Sequence, residues 1–479
     1  MADELTVSVG GGTRVAVDEL FAEAAALGAL HRACGEWTQR ARELREWAGS
    51  AGIDAAPGAG GDTPGYSLHH AWVLFDRAAV EAEGLHAALV RCAERYGHAE
   101  RTVTAMWDLG ARYGAGVLGL TFPLWAAPAG LVAATLAGAA AAGLWSPERS
   151  LGAIGSNPAV VRLVRSAGGA IDEAVLGRMG VPPGLAVLLG RSMRASENAS
   201  VLLGAAATFG LVGSTVLIDG PVTVRRASPA PARVPAPTGI AQLAARVPRP
   251  GAGGPQVRVE RYGSAASPRW IVYIAGTVSG SAAAGRQPWD LTSDLHAVAA
   301  GSGLERVRPG ARSGGAEQAV RAALAAAGAK AGDPVLSVGH SLGGITAAQL
   351  AGGATYNVVG AVNLGGPVAS VDTGEVPVLS LEHEEDVIPA LAGPPGSSPG
   401  LVTVRRSVLA GTEASGPLPA HGLEHYRATA SLVDRSDAPA LAAFGALVRD
   451  LTGGAQGERT EWIAARSGRD PVSSGSGAR

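Results

Sequence analysis

Cysteine, lysine, aromatic side chains and charge are all scarce in this chain. Its two cysteines, Cys34 and Cys92, stand among 479 residues. Two thiols build neither a disulfide framework nor a four-cysteine zinc site. They read as two buried thiols, with a bridge between helices as the alternative after export. Lysine occurs once, at Lys330, so the basic residues are almost all arginine. Charged residues make up 17% and aromatics 4%, while 47% of the chain is hydrophobic. Disorder of the whole is excluded, because disordered chains are charge-rich and apolar-poor. A formal net charge of −2 argues against a general nucleic-acid binder. The N-terminus, MADELTVSVGGG, has acids where a secretory signal has basic residues, and no apolar core follows. Export by that route is not expected. No Walker A motif and no paired Cys/His cluster occurs, so no metal or cofactor is implied.

What the chain has in excess is small residues, 69 glycines among them. They are unevenly placed, and composition divides the chain. Residues 1–112 are charged and helical in pattern, and 113–227 are rich in Ala, Gly and Leu. A Pro-rich stretch, 228–255, reads as a partly extended linker. Residues 256–452 alternate short β-rich and Ala-rich helical runs, the pattern of a mostly parallel sheet covered by helices. The polar tail, 453–479, is expected to be disordered. The fold class is therefore multidomain, a helical N-terminal part followed by an α/β domain.

In the first region Leu20, Ala24, Leu27, Leu30 and Cys34 recur at steps of three, four or their multiples, one face of a helix that runs to about Trp47. A Gly/Pro/Asp-rich turn region, 49–65, follows, then a second helical run over about 69–112. This is the pattern of an antiparallel helical hairpin. His31, His69, His70, His86 and His98 have no matched partner in the sequence and read as surface residues. Trp47-Ala-Gly49 lies between the helices, and Tyr96-Gly-His-Ala-Glu100 lies late in the second. The pair resembles the WxG-type hairpins that are substrates of type VII secretion. The resemblance covers about 100 residues and implies a targeting role for Trp47, Gly49, Tyr96 and Glu100. It also implies a secretion or helical partner, and a secreted or envelope-associated location reached without a signal peptide. The alternative is an ordinary helical pair with Trp47 and Tyr96 as core aromatics.

Two charge-free runs, Tyr113–Pro147 and Ala199–Ile218, each reach the ~18–20 residues needed to cross hydrocarbon. Their small side chains give little transfer energy, and Pro123 and Pro128 should interrupt the first as a helix. A buried helical domain and a membrane-contacting segment both remain open.

The chemistry concentrates further on. Pro334-Val-Leu-Ser-Val-Gly339-His340-Ser341-Leu342-Gly343-Gly344 is a β-run, a G-x-S-x-G turn and the start of an Ala-rich helix. Glycine is needed at 339 and 343 because side chains there would strike the neighbouring strand and helix. The turn lifts the Ser341 hydroxyl above the sheet, and the helix N-terminus behind it favours developing negative charge. Downstream, Val376–Leu381 reads as another strand, followed by Glu382-His-Glu-Glu-Asp386-Val-Ile-Pro389. His421 and His425 come later still, His421 just before a helix that runs to about Val433 and His425 within it.

The elbow GHSLGG resembles that of lipase- and esterase-like α/β-hydrolases, over about 200 residues, 256–452. That resemblance implies a triad in the order Ser, Asp, His: Ser341 as nucleophile, Asp386 as the acid of a D-x-V-P-like loop, and His421 as base. Glu382, Glu384 and Glu385 are alternative acids. The spacing H-x-x-x-x-Y favours His421, and His425 is the alternative base. His340 reads as a packing residue. The oxyanion hole would use the Leu342 backbone N–H and Thr277, which follows the strand Trp270–Ala275 and a glycine. Residues 278–300 would form a loop over the site, where Trp289 lines an acyl pocket or packs in the core. The implied activity is carboxylic ester hydrolysis on an ester or lipid substrate. A peptidase, an acyltransferase or a catalytically silent interaction domain could use the same fold.

Overall fold

A computed structural model describes residues 5–9, 15–52, 64–141, 152–190, 219–249, 251, 253–279, 284–300, 313–394, 398–409 and 416–467. The chain divides into two compact units, Thr13–Met106 and a larger one formed by Met1–Gly12 with Trp107–Arg479.

The smaller unit is a helical hairpin. Helix α1 covers Val15–Ser50, and the first part of α2, Pro64–Ala141, packs along it. Cross-helix contacts keep a nearly constant sum of residue numbers, which defines an antiparallel pair. Trp37 stacks on Phe75 with ring centroids 6.1 Å apart. His31 Nδ1 lies 3.0 Å from the Ala79 carbonyl, and His86 Nδ1 lies 2.6 Å from that of Ala24. The expectation that these histidines are surface residues is corrected for His31 and His86. Each is half-buried and bridges the helices. The seam is built from small residues, with Ala24, Cys34, Thr38, Ala41, Ala48, Ala79 and Ala82 buried. Leu30, expected on this face, is exposed. Both cysteines are free; Cys34 is buried but Cys92 is exposed, so only one is the expected buried thiol.

Helix α2 corrects two further expectations. It runs to Ala141, so the second helix does not end near 112, and Tyr96–Glu100 lies mid-helix. It also continues through Pro123 and Pro128; each proline removes one backbone bond, but the neighbouring turns carry the helix on. Among the described residues no helix is long and apolar enough to cross a membrane. The second charge-free run, 199–218, lies outside the described residues.

In the larger unit the Ala/Gly-rich region contributes short helices, α3 Pro158–Ala167, α4 Ile171–Arg178 and α5 Pro183–Gly190. They approach α2 closely because glycines meet there. A Cβ on Gly119 would collide with the Ala174 carbonyl, and one on Gly177 with that of Gly116. Excess small residue here serves helix contact.

The main body is a mixed sheet. Its strands are β1 Thr6–Val9, β2 Val222–Arg226, β3 Ala232–Val234, β4 Val257–Ser264, β5 Ser267–Ile274, β6 Pro334–His340, β7 Asn357–Leu364, β8 Val378–His383, β9 Leu401–Arg406 and β10 Gly457–Arg466. The order is β1-β9-β8-β7-β6-β5-β4-β10-β2, with β3 paired to β10. Strands β5 to β9 are parallel; every other pair is antiparallel. The central strands are buried on both faces, which is why they read as continuous apolar runs such as Trp270–Ile274. Helices α6 Ile240–Arg246, α7 Leu291–Ala299, α8 Gly315–Ala327, α9 Leu342–Gly352, α10 Val387–Ala390, α11 Leu423–Val433 and α12 Pro439–Thr452 complete the unit.

Three domain boundaries are corrected. Residues 1–112 are not one helical domain, because β1 pairs antiparallel with β9 at the sheet edge. The stretch 228–255 is not a free linker. Asp434 accepts the N-terminal N–H groups of α6 at Ile240 and Ala241, and Arg427 donates to the carbonyls of Ala244, Ala245 and Val247 at its other end. Nor is 453–479 wholly a tail, since β10 pairs with β2, β3 and β4. Its charges are satisfied at long range. Arg459 binds the buried Glu260, which also accepts Arg246, Tyr262 and Tyr273. Arg466 is wholly buried and forks onto both oxygens of Asp290 at 2.6 and 2.9 Å while its Nε donates to Asp219 at 2.6 Å.

Candidate active site

Strand β6 ends at His340, and α9 begins at Leu342; Ser341 sits alone at the junction. Its φ of 55° and ψ of −121° make it the single non-glycine residue with positive φ among the described residues. Such a conformation costs about 1–3 kcal/mol and persists only where its surroundings enforce it. Here the Ser341 N–H donates to the Leu364 carbonyl at 2.9 Å, and its carbonyl accepts Gly344 at 2.8 Å and Ile345 at 3.2 Å. Cβ atoms on Gly339 and Gly343 would collide with the backbone of Gly343 and Ile274, so both elbow glycines are steric requirements.

Asp386 follows β8 and caps α10, accepting the Ile388 N–H at 2.9 Å. Its other oxygen accepts two donors, His421 Nδ1–H at 2.6 Å and the Tyr426 hydroxyl at 2.6 Å. Burial raises the pKa of this carboxyl, but the His421 charge and these hydrogen bonds outweigh it and hold the group below its ordinary value. It is a carboxylate that orients an imidazole.

His421 closes a 3₁₀ turn, Pro419–His421, just ahead of α11. Two histidines, at the ends of the parallel strands β6 and β8 that flank β7, hold that turn. His383 Nδ1–H donates to the Ala420 carbonyl at 2.8 Å, and His340 Nε2–H donates to the His421 carbonyl at 3.0 Å. Both are buried and kept neutral. Burial, then the His421 charge, pushes His340 down to about 3, and burial lowers His383 to about 4. The His340 and His421 rings lie 4.9 Å apart. Among the described residues the Ser341 hydroxyl has no hydrogen-bond partner, so its contact with His421 is open here. Catalytic contacts are often long before substrate binds.

The Gly276–Thr277 step abuts Ser341: a Cβ on Gly276 would lie 3.2 Å from Ser341 Cβ. Among the described residues neither the Thr277 nor the Leu342 N–H has an acceptor. Of the loop expected over 278–300, residues 291–299 form helix α7 instead. Trp289 is a core residue, fully buried, donating to the Ala275 carbonyl at 2.9 Å.

The remaining candidates separate cleanly. The His425 ring lies 6.4 Å from that of His383, and it is His421 that pairs with Asp386. Glu382 is bound to Arg165 and Arg405, Glu385 accepts the N–H groups of Val408 and Leu409, and Glu384 is exposed. Trp47 stands in the last turn of α1, 61% exposed and available for recognition. Gly49 is inside that helix rather than in the turn. Sequence reasoning passed over Tyr426 and His383, although the H-x-x-x-x-Y spacing already held the tyrosine. Comparison with family models, characterised proteins and solved structures finds no match.

Proposed function

We propose that this chain is a serine ester hydrolase of the α/β-hydrolase type, acting through Ser341, His421 and Asp386. The observation that carries the reading is the strained Ser341 at a strand–helix junction whose flanking His340 packs against a carboxylate-bound His421. The donor tautomer at His421 Nδ1 leaves Nε2 with a lone pair. That nitrogen takes the Ser341 proton as Oγ attacks an ester carbonyl. The Leu342 and Thr277 N–H groups bind the oxyanion. The carbonyl re-forms as the C–O bond to the alcohol breaks, and His421 returns its proton to that alcohol. Water repeats the sequence on the acyl-enzyme, releasing the acid and regenerating Ser341.

A fluorophosphonate probe tests the reading. Wild-type protein is expected to label at Ser341 and to hydrolyse p-nitrophenyl esters. Ser341→Ala is expected to do neither. Unlabelled wild-type protein leaves the catalytically silent alternative.

For the hairpin we propose a recognition role in export, supported by the exposed Trp47 at the end of α1. Trp47→Ala is expected to reduce export while ester hydrolysis stays intact; equal export overturns this part.

A further inference from the structure

We infer that Asp294 is a positioning residue of the oxyanion hole, holding Thr277 in one of two hydrogen-bond states according to its own protonation. This rests on the hydrolase reading above. Asp294 lies in the first turn of α7, and the Thr277 hydroxyl sits 2.9 Å from its Oδ1.

The chemistry of that contact has two forms. A carboxylate only accepts, so when Asp294 is ionised the Thr277 hydroxyl must give it its proton. The hydroxyl then has nothing to offer an oxyanion. A carboxylic acid instead donates to Thr277 Oγ1, which frees the hydroxyl proton to turn toward the site next to the Thr277 N–H. The neutral acid is the form that supports catalysis.

The surroundings favour that form. Burial raises Asp294 most; the Thr277 bond lowers it, Asp290 raises it and His421 lowers it, leaving it at about 7. Asp290 is bound to Arg466, which also holds Asp219. Of the helices packed on α7, α9 carries no ionisable side chain, and α8 carries Glu317 paired with Arg321. His296 is the other ionisable group on α7 itself.

The experiment is the pH profile of kcat/KM for a p-nitrophenyl ester, run beside fluorophosphonate labelling. Wild type is expected to lose activity above about pH 7, by up to about 10²-fold, the effect of one oxyanion donor. Asp294→Asn is expected to lose this alkaline fall, because an amide donates to Thr277 at every pH. Thr277→Val is expected to be slower throughout and to lack the fall, while Thr277→Ser keeps it. An alkaline fall that persists in Asp294→Asn or Thr277→Val, or that is missing from labelled wild type, overturns the inference and leaves the hydrolase reading standing. Absence of labelling in wild type overturns both.

Discussion

The imidazole of His340 donates its Nε2 hydrogen to the carbonyl oxygen of His421, 3.0 Å away. The residue preceding Ser341 thus holds the backbone of His421, and burial keeps its ring neutral. His383 does the same for Ala420. Both folded-state values, about 3 and about 4, lie below the ordinary 6.5. The unfolded chain therefore binds more protons than the folded one between those values and 6.5. Stability is full above pH 6.5 and is lost as pH falls through that window. For His383 the loss should approach about 3 kcal/mol by pH 4, at about 1.4 kcal/mol per unit. Urea midpoints at pH 7, 5.5 and 4.5 should fall steeply, and less steeply in His383→Gln. Equal slopes would exclude His383 as a source.

Tyr426 is the second donor to the Asp386 oxygen that His421 also uses. Removing its hydroxyl leaves a buried carboxylate short of one charge-assisted bond, worth about 1.5–3 kcal/mol. Tyr426→Phe should lower thermal stability by that amount. It should also lower kcat by roughly tenfold while KM stays near wild type, since the base is less firmly oriented. An unchanged kcat would show that His421 alone fixes the acid.

Ser341 occupies backbone space suited to glycine. Ser341→Gly abolishes nucleophilic chemistry but relieves the strain at φ 55°, so the inactive variant should melt higher than wild type. The gain expected is about 1 kcal/mol, the lower end of what such a residue costs. Ser341→Ala keeps the strain and should not share it. Calorimetry of the three proteins decides the matter; a lower melting temperature for Ser341→Gly would mean the turn is not strained.

Arg466 neutralises two buried carboxylates, Asp219 and Asp290, and donates to the Gly285 and Gln287 carbonyls. Arg466→Met strands both anions, a change of about 3–5 kcal/mol. Because Asp290 caps α7, the loop behind Thr277 should loosen as well. Hydrogen exchange over 276–294 should accelerate locally in this variant. A wild-type urea midpoint would refute the role.

How much of this was legible beforehand follows from the range of each interaction. The elbow was readable because its constraints are local: a strand, a helix start and two glycines that backbone neighbours forbid to carry a Cβ. The Asp386–His421 pair was implied by the hydrolase resemblance, through its chain order and D-x-V-P-like loop. Strand β10 was not, because Glu458, Arg459 and Arg466 look like a solvated tail until Arg261, Glu260 and Asp290 are brought to them across the sheet. The proline count of 228–255 concealed α6, whose N-terminal cap, Asp434, lies 194 residues further on in sequence. Asp294 was visible only as part of a covering loop, since no spacing rule joins it to Thr277. In the hairpin, the apolar periodicity named Ala24 and Cys34 but overstated Leu30, because the seam is closed by alanines.

The placement of β1 has one more consequence. Residues 13–106 are not appended to the α/β body; in chain order they are inserted between its first strand and the rest. Cutting the hairpin away as a leader removes Thr6–Val9 too and uncovers the ladder edge of β9, an open template for pairing with another chain. A machine that grips the hairpin and pulls would load the body from two points of the backbone at once. On one side that load reaches a ladder only four residues long, so β1 should be the first piece of the sheet to peel.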